Sequence, residues 1–399
     1  MDSKYLDELR EGIFLCLGCG ACRGVWSRKE EGMCPVFATG IGFEDSMPRG
    51  RITVAQDILD GYVTYSKALA ESLYRCTQCA NCLTLCGAAE VETGHPIIDI
   101  PRIVEAMKAD VVEHGLVPPK VRDFLENIQK YGNPYGEPVE KRGKWAEGTG
   151  IKLYQPGDEF LLYIGCVGSY DTRSQEAAKA LGSLLLDAGV SFGILGAEEK
   201  CDGNEVLRLG ERDLFEYLAQ ENIKALKDLQ VKSIITLSPH SYNVMKNEYP
   251  ELGADFAVLH YTQFLRHLIN NKKLKPAAGL KARVTYHDPC FLGRYNDEYD
   301  ASREVLASIS GIDLVEMHRT RDNSFCCGGG GGNFYTDLTG GKENSPSRIR
   351  VREAHETGAQ VLAVACPVCT TMLEDAIKAE ELEGKLAVKD VAEIVREAC

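Results

Sequence analysis

The sequence lacks the features of membrane, secreted and nucleic-acid-binding proteins. Nowhere do eighteen apolar residues run together, so we expect no direct membrane span. The N-terminal stretch, MDSKYLDELREGIFLC, has neither a basic segment nor a small-residue cleavage site, so we expect no signal peptide and a cytoplasmic location. Basic residues are outnumbered, with 45 Lys and Arg against 59 Asp and Glu. That deficit argues against nucleic-acid partners, which require phosphate neutralisation.

Nucleotide-binding motifs are also missing. We find no Walker motif and no G-x-G-x-x-G that opens a helix after a strand. The glycines of 328–332 follow a cysteine pair and are not followed by Lys-Ser/Thr, so they do not form a phosphate loop. We therefore expect no flavin in this chain and assign hydride handling to a separate partner.

Cysteine, in contrast, is abundant, with 16 residues. In a reducing cytoplasm clustered cysteines indicate metal binding or catalysis. Residues 1–110 hold eight of them and 111–158 hold none. Because 111–158 is rich in Gly, Pro and charge, we predict a linker there. Cys399 stands alone and is interpreted as an incidental thiol.

Two cysteine triplets lie in the N-terminal block. Cys76-x2-Cys79-x2-Cys82-x3-Cys86 and Cys16-x2-Cys19-x2-Cys22, with Cys34-Pro35 later, resemble the runs of two-cluster ferredoxins, apart from Gly87 where proline is usual. In those proteins the fourth cysteine ligates the other cluster. The resemblance thus implies one [4Fe-4S] cluster on Cys16, Cys19, Cys22 and Cys86. It implies a second on Cys76, Cys79, Cys82 and Cys34. Structural zinc, which favours paired C-x2-4-C knuckles, fits two triplets poorly.

From residue 159 onward, short apolar strands alternate with amphipathic helices. LLYIG at 161–165, SFGIL at 191–195 and SIITL at 233–237 are predicted strands of a parallel α/β sheet. The pattern repeats: 34 residues separate Cys166 from Cys201, and 35 separate Cys290 from Cys326. We therefore predict a duplicated domain, with copies at 159–275 and 276–399. Both metal-type sites are expected at the carboxyl ends of strands.

The second copy concentrates thiols from three strand ends: Cys290, Cys326, Cys327, Cys366 and Cys369. Adjacent Cys326 and Cys327 diverge and suit an ordinary cubane poorly, whereas an opened cluster with bridging thiolates accommodates both. The glycines that follow allow the backbone to approach an inorganic core closely. Zinc, or a set of free thiols, is the alternative. Near these cysteines, His287 and Asp288 either act on the cluster, by proton transfer or hydrogen bonding, or form the turn at the strand end. Arg294 either balances the negative charge of the cluster or lies on a solvated face.

The stretches YHDPCFLGRYNDEYDASREVL, NSFCCGGGGG and VACPVCTTMLEDA, with MPRGRI at 47–52, resemble the family of heterodisulfide reductase D-type subunits. Iron–sulfur subunits of glycolate oxidase and anaerobic glycerol-3-phosphate dehydrogenase are relatives. The resemblance covers nearly the whole chain. It implies an α+β protein: an N-terminal α-helical two-cluster ferredoxin-type domain followed by duplicated α/β CCG domains. It also implies a noncubane [4Fe-4S] cluster on the five C-terminal cysteines.

The first copy is degenerate under this resemblance. Asp202 replaces the second cysteine of the pair, and Ser238 and Ser241 replace the C-x-x-C, which leaves Cys166 and Cys201. Serine is a weak ligand for an iron–sulfur core. Three alternatives stay open: an inert pocket, zinc on Cys166, Cys201 and His240 with or without Asp202, or a space for a small substrate or partner loop.

These features predict an electron-transfer subunit of a multi-subunit oxidoreductase. It relays electrons between a flavoprotein and a terminal acceptor through two cubane clusters and one noncubane cluster. The flavoprotein is expected to resemble the A-type subunit of heterodisulfide reductase or an FAD-dependent dehydrogenase, and membrane association would come through a partner. One alternative is a catalytic subunit that reduces a disulfide, heterodisulfide or quinone at the C-terminal cluster. Another is a zinc-stabilised scaffold without redox activity.

Overall fold

The N-terminal part of the computed structural model is helical. The structure describes residues 3–24, 34–41, 43–90, 92, 94, 96–339 and 343–399. Sequence rules explain several helix starts: a proline opens the helix at Pro48, and Ser66 and Asp99 accept hydrogen bonds from the first turns of the next two long helices. The helices are α1 Lys4–Asp7, α2 Arg10–Phe14, α3 Pro48–Leu59, α4 Lys67–Tyr74, α5 Asn81–Thr84, α6 Ile100–Glu113 and α7 Pro119–Tyr131.

Part of the predicted linker is folded. Within 111–158, helix α7 buries Val121, Phe124 and Ile128 at helical spacing, and a 3₁₀ turn at Lys144–Ala146 buries Trp145. Average composition concealed this local periodicity. The predicted domain boundaries at 110, 158 and 275 remain predictions.

The next segment folds around a four-stranded parallel sheet. The strands run in the order β2-β1-β3-β4. Each strand returns through helices, as parallel pairing requires. The elements are β1 Phe160–Tyr163, α8 Gly165–Tyr170, α9 Ser174–Asp187, β2 Phe192–Gly193, α10 Asn204–Arg208, α11 Arg212–Asp228, β3 Ser233–Thr236, α12 Pro239–Asn247, β4 Ala257–His260 and α13 Tyr261–Asn270.

The last segment repeats this arrangement. Its order, β6-β5-β7-β8, is the same topology in the next copy, which confirms the predicted duplicated α/β fold. The elements are β5 Ala282–Tyr286, α14 Ala301–Ala307, β6 Ile312–Val315, α15 Asn333–Thr336, α16 Pro346–Glu356, β7 Val361–Val364, α17 Pro367–Ala379, β8 Ala387–Asp390 and α18 Val391–Ala398.

The three parts share apolar cores. One core joins the N-terminal helices to the first sheet, and another includes Leu162 and Ile235 of the first sheet with Val284 and Ala363 of the second. Across the described ranges, no helix is both long and apolar enough to cross a bilayer. The cysteines of both copies follow the carboxyl ends of their strands, where loops can gather them.

Candidate metal centres

The first group of thiols, which we call the outer site, comprises Cys16, Cys19, Cys22 and Cys86. Burial, followed by repulsion from Cys16 and Cys86, raises the pKa of Cys22 to about 12. Burial also raises the pKa of Cys86, which lies within electrostatic reach of Cys16 and Cys19. Thiols crowded in this way hold their protons until a cation replaces them. Cys19 is exposed, so this site reaches the surface.

The second group, the inner site, surrounds a cavity of about 380 Å³. The cavity is lined by Cys34, Cys76, Cys79 and Cys82. Burial raises the pKa of Cys34 to about 11. The crossed arrangement implied by ferredoxins therefore has its geometric counterpart, since Cys34 joins the second triplet and Cys86 the first.

Buried polar atoms at the inner site support an inorganic occupant. Within the described chain, Arg51 Nε, Gln78 Oε1 and both amide atoms of Asn81 have no hydrogen-bond partner, and all three side chains line the cavity. Two of these atoms, Arg51 Nε and Asn81 Nδ2, carry N–H donors, which sulfide or thiolate acceptors would satisfy. Gln78 and Ala80 also adopt positive φ, +52° and +57°, in the turns between the cysteines. The residues present fit a cubane cluster.

The C-terminal site contains all five predicted cysteines, from three segments that follow β5, β6 and β7, and each cysteine is nine-tenths or more buried. Cys369 Sγ lies 3.4 Å from Cys327 Sγ. Cys290 and Cys326 pack in one buried cluster, and Cys290, followed by Cys327, raises the pKa of Cys326. Cys366 completes the network: burial alone raises its pKa, but hydrogen bonds from Cys369 and His240 lower it to about 6.

Backbone amides also point at these sulfurs. Gly328 N–H donates to Cys326 Sγ at 3.2 Å, and Gly329 N–H donates to Cys327 Sγ at 3.5 Å. Such donors stabilise thiolates and tune iron–sulfur centres. The C-terminal site therefore fits a cluster, with more thiols than a tetrahedral zinc needs.

His287 belongs to the C-terminal site, whereas Asp288 does not. His287, Cys327 and Cys369 place one ligand atom each within 4.8 Å of one another. Buried Arg350 donates from Nε to His287 Nδ1 at 3.1 Å, so the other ring nitrogen, Nε2, is the one that can donate to a thiolate. Asp288 is bound by Arg303 at 2.7 and 3.0 Å and by the Arg321 amide, so it shapes the turn.

The inner and C-terminal sites touch. Thr77 Oγ1 lies 3.6 Å from Cys326 Sγ, and Cys79 packs in one buried cluster with Cys326, which raises the pKa of Cys79. Arg294 fixes this contact, because its Nη1 donates to the Cys79 carbonyl at 3.1 Å and its Nε to the Asp322 carbonyl at 2.9 Å. Sequence reasoning missed the contact because its partners are far apart in the chain.

In the first copy, Cys166, Cys201, Asp202 and His240 line one cavity, but among the described residues their ligand atoms do not form a set within 4.8 Å of one another. Cys166 and Cys201 shift each other's pKa. His240 instead places Nδ1 2.6 Å from Glu205 and hydrogen-bonds Cys366 of the other site. In the part of the chain that the structure describes, the one compact set of three ligand atoms is that of His287, Cys327 and Cys369. Ser241 Oγ donates a hydrogen bond to Asp202 Oδ2 at 2.6 Å.

Comparison with protein families matches three segments. The cysteine-rich domain CCG matches residues 160–246 and 284–374, and a 4Fe-4S dicluster domain matches residues 12–89. These matches confirm the predicted ferredoxin-type and CCG domains in their predicted order.

Several curated relatives are named as oxidoreductases. The D-type subunit of a dihydromethanophenazine:CoB–CoM heterodisulfide reductase from Methanosarcina barkeri is 31% identical, and the match covers 100% of this chain and 97% of that subunit. The probable iron-sulfur-binding oxidoreductase FadF of Bacillus subtilis is 38% identical over 82% of this chain and 46% of its own length. An EtfAB:quinone oxidoreductase of Syntrophomonas wolfei is 35% identical over 84% and 47%. The chain thus spans about half the length of the latter two.

Among solved structures, a hypothetical protein from Helicobacter pylori superposes with a TM-score of 0.55 at 12% identity, covering 100% of this chain and 76% of that one. This likeness concerns the fold alone.

Proposed function

The chain belongs to the family of heterodisulfide reductase D-type subunits, which are iron–sulfur oxidoreductases, and from that premise we propose that it relays electrons between a flavoprotein partner and a terminal acceptor. The relay uses cubane clusters at the outer and inner sites and a noncubane cluster at the C-terminal site. When bound, these clusters accept and release single electrons.

The observation that carries the proposal is the contact between the inner-site loop and the C-terminal site, where Thr77 Oγ1 lies 3.6 Å from Cys326 Sγ. There Cys79, a proposed ligand of the inner site, packs in one buried cluster with Cys326, a proposed ligand of the C-terminal site. At the other end, Cys19 is exposed while the inner and C-terminal cysteines are largely buried. This order favours electron exchange with a partner at the outer site and transfer inward from there.

Side chains around the contact between the inner and C-terminal sites fix its position and exclude water from it. Arg294 holds the inner-site loop against the C-terminal site, and Tyr295 does the same by donating its hydroxyl to the Gln78 carbonyl at 2.8 Å. Phe291 packs beside Cys79, Cys290 and Cys326 and excludes water from their contact. Low dielectric around the thiolates strengthens the effect of nearby N–H donors.

The name of the Syntrophomonas relative, EtfAB:quinone oxidoreductase, supports a two-partner relay with a flavoprotein on one side. We propose a cytoplasmic location, with membrane association through a partner.

Replacing Cys326 and Cys327 together by Ser tests the relay. Anaerobically prepared protein is given electrons from reduced methyl viologen and a water-soluble quinone as acceptor. We expect the cubane EPR signals to persist and quinone reduction to fall at least about tenfold, which corresponds to about 1.4 kcal/mol. The matched control, Cys399→Ser, removes an exposed thiol outside all three sites and should change neither. Undiminished quinone reduction in the double variant would refute the relay.

A further inference from the structure

The two cysteines that survive in the first copy lie together in the wall of a cavity. Cys166 is in α8, directly after β1, and Cys201 is in the loop after β2. Both line a cavity of about 430 Å³ and belong to one buried cluster, and each thiol shifts the pKa of the other. Proximity of two thiols is the first requirement for a reversible disulfide.

The surroundings distinguish the two thiols. Arg142 Nη1 lies 3.5 Å from Cys166 Sγ, and its Nη2 lies 2.8 Å from Glu199 Oε1. Arg142 is only 1% exposed. Its charge is therefore screened little by water and favours a thiolate on Cys166. Cys201 Sγ, in contrast, accepts a hydrogen bond from the neutral Gly203 amide at 3.5 Å.

The pKa directions agree with this geometry. The hydrogen bond from Cys201, and then the charge of Arg142, lower the pKa of Cys166. The same hydrogen bond raises the pKa of Cys201. One low-pKa and one high-pKa thiol in contact is the arrangement found in redox-active dithiols.

The cavity adjoins the C-terminal site. Val368, which lies between Cys366 and Cys369, lines the cavity, and so does His240. His240 hydrogen-bonds Cys366, and its ring packs against Phe291 with 4.4 Å between centroids. A single layer of side chains therefore separates the Cys166–Cys201 pair from the cysteines that we assign to the noncubane cluster.

We propose that Cys166 and Cys201 are a redox-active dithiol that stores two electrons beside the C-terminal site. Its exchange partner rests on the proposed function. In the oxidised state the two Sγ atoms share a bond. Two electrons, which a cluster bound at the C-terminal site would supply, break that bond; Cys201 takes up one proton, and Cys166 remains a thiolate beside Arg142. In the reverse direction the proton and both electrons leave and the bond forms again.

Trypsin places the two cysteines in separate peptides, residues 153–173 and 201–208, each with a single cysteine. Anaerobic holoprotein is equilibrated in buffers of reduced and oxidised glutathione, quenched in acid, alkylated under denaturing conditions, digested and analysed by mass spectrometry. We expect a linked 153–173/201–208 species in oxidising buffers that converts to two alkylated peptides in one two-electron transition. Absence of the linked species at every ratio, or its persistence at every ratio, would overturn the proposal.

Variants identify the pair and its electron source. Cys399→Ser should leave the transition in place, whereas Cys166→Ser should leave peptide 201–208 alkylated in every buffer. In the Cys326→Ser, Cys327→Ser variant the glutathione transition should persist, while electrons supplied by reduced methyl viologen should no longer open the disulfide at the wild-type rate. An undiminished rate there would refute the link to the C-terminal site. Cubanes that fail to take up electrons would refute the relay alone, because the glutathione transition does not depend on them.

Discussion

At the scale of single residues, the glycine run 328–332 meets two different constraints. Gly328, Gly331 and Gly332 have φ of +87°, +61° and +78°, which side-chain-bearing residues rarely adopt. Gly330 has an ordinary φ but no room, since a Cβ there would lie 2.6 Å from the Thr77 carbonyl oxygen. Gly330 therefore leaves room for the inner-site loop, and Gly328, Gly331 and Gly332 form the turn around the thiols.

Gly330→Ala should move the inner site away from the C-terminal site. The added methyl forces the Thr77 backbone away, and overpacking of this kind costs about 1–3 kcal/mol. We expect a lower thermal unfolding midpoint by circular dichroism and slower electron transfer to the C-terminal site. Gly279→Ala is the control, because its Cβ would meet the Ser310 carbonyl at an ordinary 3.4 Å. Equal effects of both variants would contradict the close-approach argument.

Arg294→Lys should weaken the same contact without removing charge. An ammonium group cannot reach the carbonyls of Cys79 and Asp322 together. Hydrogen bonds from charged groups contribute about 1.5–3 kcal/mol. The population of the conformation in which the inner-site loop contacts the C-terminal site should therefore fall roughly tenfold or more.

Freeze-quench EPR of the Arg294→Lys protein should show slower reduction of the C-terminal centre at unchanged iron content. Arg283→Lys, at an exposed ion pair with Asp313, is the matched control. If transfer is as fast in Arg294→Lys as in this control, Arg294 does not hold the path.

Residue types and spacing predict the sulfur groups but not their mutual contacts. The triplets placed Cys16, Cys19 and Cys22 together because local turns enforce it. The contact of Cys79 with Cys326, and the donation of Arg350 to His287, depend on how separate segments pack. No local pattern in one sequence encodes such contacts.

At the scale of secondary structure, central strands were predictable and most edge strands were not. β1 and β3 are apolar runs buried on both faces. β4, β6 and β8 lie at sheet edges, are partly exposed, and include polar residues such as Asp313 and Lys389. Their composition resembles that of loops. Helix α7 was missed for a different reason, since its Gly- and Pro-rich neighbours masked a regular apolar face.

Asp390 makes the junction of β8 and α18 sensitive to pH. Its side chain caps α18 at the Ala392 amide and accepts the Tyr261 hydroxyl at 2.6 Å. Burial raises the pKa of Asp390 from 3.8 to about 7. Between these two values the folded state binds more protons than the unfolded state, so this residue's contribution to stability falls as pH rises through that window.

Asp390→Asn should keep the cap, because Asn caps helices as well as Asp does, and should remove the cost of the buried charge. We expect the variant's thermal midpoint, relative to wild type, to be higher at about pH 8 than at about pH 6. Calorimetry at the two pH values measures this difference. A difference independent of pH would contradict the role assigned to Asp390.

At the scale of the whole molecule, the three parts pack against one another and place the cysteine sites side by side. Arg173 of the first sheet's helices pairs with Glu374 and Glu393 of the second at 2.8 and 2.9 Å, and a shared apolar core joins the sheets. The duplicated topology places the first-copy cavity and the C-terminal site at strand ends, and the N-terminal helices bring the inner site against the C-terminal site. Duplication was visible in the cysteine spacing, but the path from one site to the next required the structure.

The central claim is that these thiolates hold three iron–sulfur clusters. Iron and acid-labile sulfide, measured on the anaerobically purified full chain and followed by EPR during reduction, test it most directly. Three four-iron clusters predict about twelve irons and a similar amount of sulfide per chain, with paramagnetic signals that appear on reduction. Protein that contains zinc, no iron and no labile sulfide would contradict the account.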